Sequence, residues 1–389
     1  MKKREIPKGL RDFLPEEVKA RRNMENKASR LFNSYGYQEV ATPTFEYLEV
    51  IESGAGHHIR EDLFLFMDRD GGIVSLRPEM TVSLARLAAT HLRDRRTPQR
   101  LYYMANMFRQ VQPQKAQYRE FWQLGVELLG ASGVWSDAEV ITVAANSLLE
   151  LGLKDFKISL NQIDIFNGLL EQSNLADDEQ ELIRYFVESK DLVDLSNLLE
   201  KLPMDDQLKE SIALLPVLHG GLEVLKRIPA AEKNRKTAEA IDDLIKVYEA
   251  LQVFGINEHI VVDMGVLRNL DYYTGIVFEG YSPDLGYGLL GGGRYDNLLG
   301  HFGYDCPATG FALGMDRLAL VLRKQPGKKE ELRYIVGGTD LSKMVVEADR
   351  LRAQGFITEL DVEGCSREEL KQRLANYHAE QEYNLIFID

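Results

Sequence analysis

The sequence predicts an α+β protein with a helical insertion and a small α/β tail, and three stretches carry that prediction. Leu101 to Phe108 and Phe121 to Leu129 are apolar runs joined by a polar loop, the pattern of two strands in a hairpin. Ile165 to Leu251 is leucine-rich and acidic with few strand signals, broken at Pro203, Pro216, Gly220 and Pro229, the texture of packed helices. Past the Lys324–Lys329 stretch, a linker by composition, strand-like and helix-like segments alternate from Tyr334 to Ile388 as βαβαβ. The expected division is a core over 1–325, its insertion at about 165–251, and a tail domain over 331–389.

At 389 residues the chain can bury a sizeable core in two domains. Its 61 acidic against 47 basic residues give a net charge of −14, which disfavours a general binder of nucleic acid or acidic membrane but leaves room for local basic patches. Cys306 and Cys365 lie far apart with no CxxC, so neither a disulfide framework nor a metal site is expected. The opening MKKREIPKGLRDFLPEE lacks the apolar core of a signal peptide, and no apolar run reaches the ~18 residues of a membrane span, so a cytoplasmic setting is expected.

In chain order, Pro15 to Phe32 has helical spacing at Met24, Ala28, Leu31 and Phe32, with Gly36 beyond its end. Tyr37 to Pro43 reads as a strand and Phe45 to Glu52 as a helix. His57 and His58 in a glycine loop read as solvated. Leu63 to Asp68 and Ile73 to Leu76 flank Arg69-Asp70-Gly71-Gly72 as a hairpin. Glu79 and Thr81 open the amphipathic helix Val82 to Leu92, where a carboxylate complements the helix dipole. Arg93, Arg95, Arg96 and Arg100 read as a solvated basic surface. Ser136 to Glu139 has the spacing of a capping box for a helix ending near Glu150. Phe156 to Leu160, Ile260 to Met264 and Ile276 to Glu279 read as strands, and Ser366 with Glu369 caps the last helix.

Within the long hairpin, alternation puts Gln123 and Glu127 on one face. A carboxylate on a buried face needs a donor or a cation. Glu127 is therefore either satisfied by a neighbouring arginine in a plain core strand or part of a ligand floor, with Arg109 awaiting an anion. Gly291-Gly292-Gly293 lets the backbone approach a ligand or another strand, and fits neither a Walker loop nor a dinucleotide fingerprint. Arg317, in the first turn of a helix starting near Asp316, opposes the dipole preference and needs an anion, structural or bound.

Taken together, KGLRDFLPEE, YGYQEVATP, LRPEMT, FRQVQPQKAQYREFWQLGVE, LRNLDYYTG, GGGRYD and GFALGMDR resemble, in that order, the motifs of class II aminoacyl-tRNA synthetases, histidyl-tRNA synthetases in particular. The resemblance implies an antiparallel sheet flanked by helices, with the helical insertion between the second and third motifs. It implies a histidine pocket in which Glu79, Thr81 and Gln123 meet the α-amino group, Glu127, Tyr272 and Tyr273 surround the imidazole, and Arg109, Arg268 and Arg317 meet carboxylate and phosphate groups. Such a set suits the ligand: the ammonium needs a carboxylate, the carboxylate an arginine fork, the imidazole an acceptor and a hydroxyl.

Departures from the synthetase pattern point away from aminoacylation. Val111 stands where the family's Arg-x-Glu places the acceptor for the adenine amino group, and Gln112 replaces the arginine that follows. Met80 and Asn269 replace glycines, Met80 being expected to crowd the pocket floor. The tail resembles the first half of an anticodon-binding domain. This combination resembles the regulatory subunits of ATP phosphoribosyltransferase. That resemblance implies a non-catalytic chain with a vestigial nucleotide site at Arg109 and Arg317. It also implies no cofactor, L-histidine as effector, self-association as a dimer, and a hetero-octamer with the short-form catalytic subunit, tRNA and membranes not being partners. The alternative is a truncated histidyl-tRNA synthetase or a histidine-adenylating enzyme.

Overall fold

Helical spacing in the first apolar stretch produces α1 (Pro15–Ser34), which buries Ala28 and Phe32 completely. The computed structural model describes residues 4–55, 57–112, 117–267, 272–322, 332–376 and 383–389. The chain separates into two units, Met1–Lys324 and Gln325–Asp389.

In the first unit α1 is followed by β1 (Gln38–Glu39), β2 (Phe45–Tyr47), α2 (Leu48–Ala55), β3 (Leu65–Met67), β4 (Ile73–Leu76) and α3 (Thr81–Leu87), which widens into a π turn over Ala88–Leu92. The long hairpin is β5 (Gln99–Phe108) and β6 (Glu120–Leu129). After it come α4 (Val134–Glu150), β7 (Lys157–Gln162), the helices α5 (Ile163–Ser173), α6 (Asp177–Ser189), α7 (Leu192–Lys201) and α8 (Asp206–Leu214), then β8 (His219–Gly220), α9 (Arg235–Val253) and β9 (Ile260–Asp263). The unit closes with β10 (Ile276–Tyr281), β11 (Leu290–Arg294), β12 (Ala308–Gly314) and α10 (Met315–Leu322).

Among the described residues nine of these strands form one sheet, ordered β1-β5-β6-β12-β11-β10-β7-β9-β8. The six inner strands, β5 to β7 in that order, are antiparallel, as the family resemblance implies. Towards the edges β1 pairs with β5 and β9 with β7 in parallel, so the whole sheet is mixed. The main core lies where α1, α4, α5 and α9 meet this sheet, with Phe32, Val126, Ile141, Leu160, Phe166 and Leu244 buried among others.

Four local expectations change. Phe45–Tyr47 is a strand and not the start of a helix, because it pairs antiparallel with β4, whose other edge holds β3. The strand expected over Tyr37 to Pro43 shrinks to Gln38–Glu39, since only those two residues pair with Leu101 and Tyr102. Ser136 does not cap α4: the helix begins at Val134 behind Gly133, whose φ of 89° suits glycine, and Ser136 lies inside it. The expected solvated face of arginines is also divided, since Arg100 makes two 2.8 Å bonds to Glu139. Arg95 and Arg96 stay exposed.

In the second unit β13 (Arg333–Gly338), α11 (Leu341–Ala353), β14 (Ile357–Leu360), α12 (Arg367–Asn376) and β15 (Tyr383–Ile388) build a parallel sheet ordered β14-β13-β15. Ser366 and Glu369 cap α12 reciprocally, with Ser366 N–H donating to Glu369 Oε2 at 2.8 Å and Glu369 N–H to Ser366 Oγ at 3.3 Å. No helix among the described residues is long and apolar enough to cross a membrane.

Candidate functional site

The register of the central strands explains why Glu127 can be buried. On β6 it faces Leu101 of β5 on one side and Gly310 of β12 on the other. A Cβ at Gly310 would overlap Glu127 Oε2, so the glycine leaves the slot into which the carboxyl folds. Glu127 is 1% exposed. Thr81 Oγ1, from the first residue of α3, donates to its Oε1 at 3.0 Å. The Tyr295 hydroxyl donates a short bond to its Oε2. Burial pushes the carboxyl up to about 8, the two hydroxyls pull it down, and the charge of Glu79 pushes it further up. At neutral pH the group is therefore mostly protonated, and a cation or a ring N–H arriving beside it favours its ionised form.

Glu79 sits just before α3, and its two oxygens accept the backbone N–H groups of Thr81 at 2.6 Å and Val82 at 2.8 Å. It caps the helix, as expected for a carboxylate at this position. Each oxygen has a second lone pair, so capping leaves capacity for one more donor. Burial raises the Glu79 carboxyl, opposed by those two N–H groups and then by the charge of Arg109. Met80 turns inward to Leu84, Tyr103 and Met107 and is 1% exposed, so it fills core and does not crowd a ligand floor.

Arg109, Tyr273 and Arg317 line a cleft of about 1780 Å³ in the first unit, together with Tyr287 and side chains of α6 such as Arg184 and Tyr185. Arg109 Nε donates to the Pro78 carbonyl at 3.0 Å, which holds its guanidinium near Glu79. Arg317 Nη1 donates to the Gly288 carbonyl at 2.7 Å, so a backbone oxygen supplies part of what its helix-start position demands. From Tyr273 the rings run inward: Tyr273 to Tyr272 at 4.9 Å between centroids, and Tyr272 to Tyr295 at 5.7 Å. Gln123 lies between Ala105 and Gly314, on the Glu127 face of β6. Arg268 and Asn269 lie outside the described residues, as does Lys115 of the hairpin loop. The side chains of His57 and His58 are likewise outside them.

Two residues of the GGGRYD stretch, to which the sequence gave no individual role, belong to the same neighbourhood. Tyr295 is one; the other is Arg294, at the end of β11. Arg294 is 7% exposed and donates through Nε and Nη2 to the two oxygens of Asp137 at 3.0 and 2.8 Å, through Nη2 to Ser136 Oγ at 2.7 Å, and through Nη1 to Asp296 at 2.9 Å. Ser136 and Asp137 face this arginine, which is why the expected capping box does not form. The available signal was an arginine closing a run of three glycines: a charge at the end of a sheet-buried backbone asks for a counterion. The glycines themselves meet neighbours, since a Cβ at Gly292 would meet the Gly310 carbonyl and one at Gly293 the Tyr273 ring.

The loop end of the hairpin is plainer. Val111 offers no side-chain acceptor, and its carbonyl accepts from Arg119 Nε at 3.1 Å. Arg119 N–H in turn donates to the Gly9 carbonyl at 2.8 Å, tying the amino-terminal segment to the loop.

Comparison with known proteins follows the same lines. The family model for histidyl-tRNA synthetase matches residues 9–318. A protein of Moorella thermoacetica, named ATP phosphoribosyltransferase regulatory subunit, is 42% identical over 371 residues, which cover 95% of each chain. A protein of Methanocaldococcus jannaschii, named histidine–tRNA ligase, is 39% identical over 92% of this chain and 86% of its own. The crystal structure of a Bacillus halodurans protein, described as an ATP phosphoribosyltransferase regulatory subunit/histidyl-tRNA synthetase, superposes with a TM-score of 0.87 at 31% identity, covering 99% of this chain and 98% of that one. The chain belongs to the histidyl-tRNA synthetase family and, within it, to the group of ATP phosphoribosyltransferase regulatory subunits.

Proposed function

We propose that the chain acts as the regulatory subunit of an ATP phosphoribosyltransferase, does not itself aminoacylate, and binds L-histidine beside Glu127. In this reading a short-form catalytic subunit carries the condensation of ATP with phosphoribosyl pyrophosphate, the first step of histidine biosynthesis. The chain pairs as a dimer and joins that subunit in a hetero-octamer. Histidine, the end product, enters the cleft with its imidazole toward Glu127, Tyr272 and Tyr273. Its ammonium meets Glu79, Thr81 and Gln123, and its carboxylate meets Arg109 and Arg268.

The observation that carries this reading is the asymmetry of the hairpin. The imidazole end keeps a buried carboxyl with two hydroxyl donors, whereas the adenine end has Val111 in place of an acceptor. A lost hydrogen bond to bound adenine costs about 1–3 kcal/mol, which weakens ATP in the pocket without touching histidine. Feedback then requires a coupling free energy between histidine here and the reaction in the partner, typically about 1–3 kcal/mol and reciprocal for binding.

A second reading, adenylation of histidine, draws on Arg109 and Arg317 both lining the cleft and on the relative named histidine–tRNA ligase. Histidine-dependent exchange of pyrophosphate into ATP separates the two. The regulatory reading expects no exchange above background in protein that binds histidine by calorimetry; exchange at synthetase-like rates supports the second reading instead.

A further inference from the structure

We infer that α6 of the helical insertion selects what the cleft admits: its carboxylates Asp178, Glu181 and Glu188, which share the cleft walls with Arg109 and Arg317, turn away polyanions such as a nucleotide triphosphate and leave a zwitterion unaffected. This deepens the regulatory reading and rests on its assignment of the cleft to histidine.

Helical geometry divides α6 into two faces. Ile183 and Val187, four residues apart, are fully buried in the main core. Asp178, Glu181, Leu182, Tyr185 and Glu188 recur at helical spacing as one stripe, and all five line the cleft. Leu182 and Tyr185 are 43% and 62% exposed, so this face looks onto solvent and is not packed away. The helix carries five acidic residues and one basic residue, Arg184. Arg184 reaches the cleft wall but donates through Nη2 to Asn167 Oδ1 of α5 at 2.9 Å and lies over the Phe166 ring.

The end of the helix is tied to the sheet. Its C-cap is Lys190, with a φ of 55°, and Lys190 Nζ lies 4.0 Å from Asp263 Oδ2 at the end of β9. Asp263 in turn accepts from Ser159 Oγ of β7 at 3.2 Å and from the Gly265 N–H at 3.0 Å. The acidic stripe therefore has a fixed place beside the strands that line the cleft.

Charge decides the consequence. Among the described residues the cleft is lined by six carboxylates and four lysine or arginine side chains, and α6 supplies three of the six acids. A polyphosphate is drawn to surroundings of the opposite balance. The excess is a property of the insertion: residues 165–251 hold 18 acidic against 10 basic residues, more than half of the chain's net charge of −14. Histidine with a neutral imidazole carries one ammonium and one carboxylate, so a negative field does little net work on it. A triphosphate carries several like charges and is repelled in proportion. Val111 acts on the adenine end of a nucleotide and the α6 stripe on its phosphates, so the two effects are independent.

The probe is inorganic tripolyphosphate without divalent cations, which separates the phosphate interaction from that of adenine. Its binding to the full chain is measured by calorimetry for the wild type and for Asp178→Asn/Glu181→Gln/Glu188→Gln. The control is Glu200→Gln/Glu210→Gln/Glu249→Gln, an equal change of charge at exposed residues that do not line the cleft. At about 0.01 M salt, where charges act over about 30 Å, the α6 variant should bind tripolyphosphate roughly 10-fold tighter than the wild type, and the control no more than about 2-fold tighter. At about 0.15 M, where that range falls to about 8 Å, the gain should shrink. The Kd for L-histidine should agree within about 2-fold in all three proteins. Equal anion affinity in the wild type and the α6 variant overturns the inference, as does an equal gain in the control, an equal gain for histidine, or a gain that does not fall with salt. Should circular dichroism show that the triple variant does not fold, Glu181→Gln alone is expected to gain about 2-fold at low salt, and no gain overturns the inference. Each of these results leaves the histidine reading standing, whereas a wild type that takes up no histidine overturns that reading instead.

Discussion

Replacing Glu127 with glutamine is expected to stabilise the free protein in mildly alkaline solution while removing most of its affinity for histidine. The sign follows from linkage. A carboxyl whose folded value is raised to about 8, from an unfolded value near 4.5, contributes stability that is fully present below about 4.5 and lost as pH rises through 8. Glutamine has the shape of the protonated acid and does not titrate. Its amide can donate to the Thr81 hydroxyl while its oxygen accepts from Tyr295, because a hydroxyl both donates and accepts. The difference between Glu127→Gln and the wild type should be small near pH 4.5 and grow toward pH 8. There it reaches on the order of 3–5 kcal/mol, an upper range because local relaxation reduces it. Denaturant unfolding at several pH values measures this directly. A pH-independent difference would mean that Glu127 is ionised throughout. If histidine binds as proposed, the same change removes the group whose ionised form the imidazole would favour, and Kd should weaken by roughly 10- to 100-fold.

The second large effect is expected at Arg294. Changing it to methionine leaves Asp137, 3% exposed, without its two-point partner in the interior. Breaking a buried pair from one side costs about 3–5 kcal/mol, because the remaining charge is neither solvated nor paired. Methionine fills similar volume, so the loss is electrostatic more than steric. Chemical denaturation should show the loss, and Asp137→Asn in the same chain should recover part of it. A change below about 1 kcal/mol would mean that the buried pair is not a stabilising element. Because Tyr295 follows Arg294, histidine affinity should fall together with stability in Arg294→Met. In Glu127→Gln the two move in opposite directions.

How much of this was legible in the sequence differs from element to element. The long hairpin and the βαβαβ tail appear within a residue or two of their expected bounds, because alternation and capping are local and each segment carries its own period. The strand Phe45–Tyr47 was not legible: its partner is β4, about thirty residues on, and its apolar residues run straight into those of α2. The spacing of Ser136 and Glu139 satisfied a local rule, but an arginine 157 residues away claims Asp137 and Ser136, and Gly133 starts the helix early. Glu127 shows the same limit in the site. Alternation placed it on a shared face with Gln123, but not its partners: a neighbouring arginine or a ligand was expected, and two hydroxyls from distant segments meet it. Hydroxyls leave the carboxyl close to its ionisation point, whereas an arginine would have fixed its charge. The expected residues Glu79, Thr81, Glu127, Tyr272 and Tyr273 share one connected neighbourhood, with Tyr295 as the missing link.

The central claim is that histidine bound in this pocket controls a reaction carried by another subunit. It is tested most directly by the rate of phosphoribosyl transfer in the complex reconstituted with the short-form catalytic subunit, measured against histidine concentration for the wild type and for Glu127→Gln. Histidine should inhibit the wild-type complex, and the variant should assemble with equal activity in its absence but need roughly 10- to 100-fold more histidine for the same inhibition. Equal inhibition of both complexes, or a wild-type complex indifferent to histidine, would contradict it.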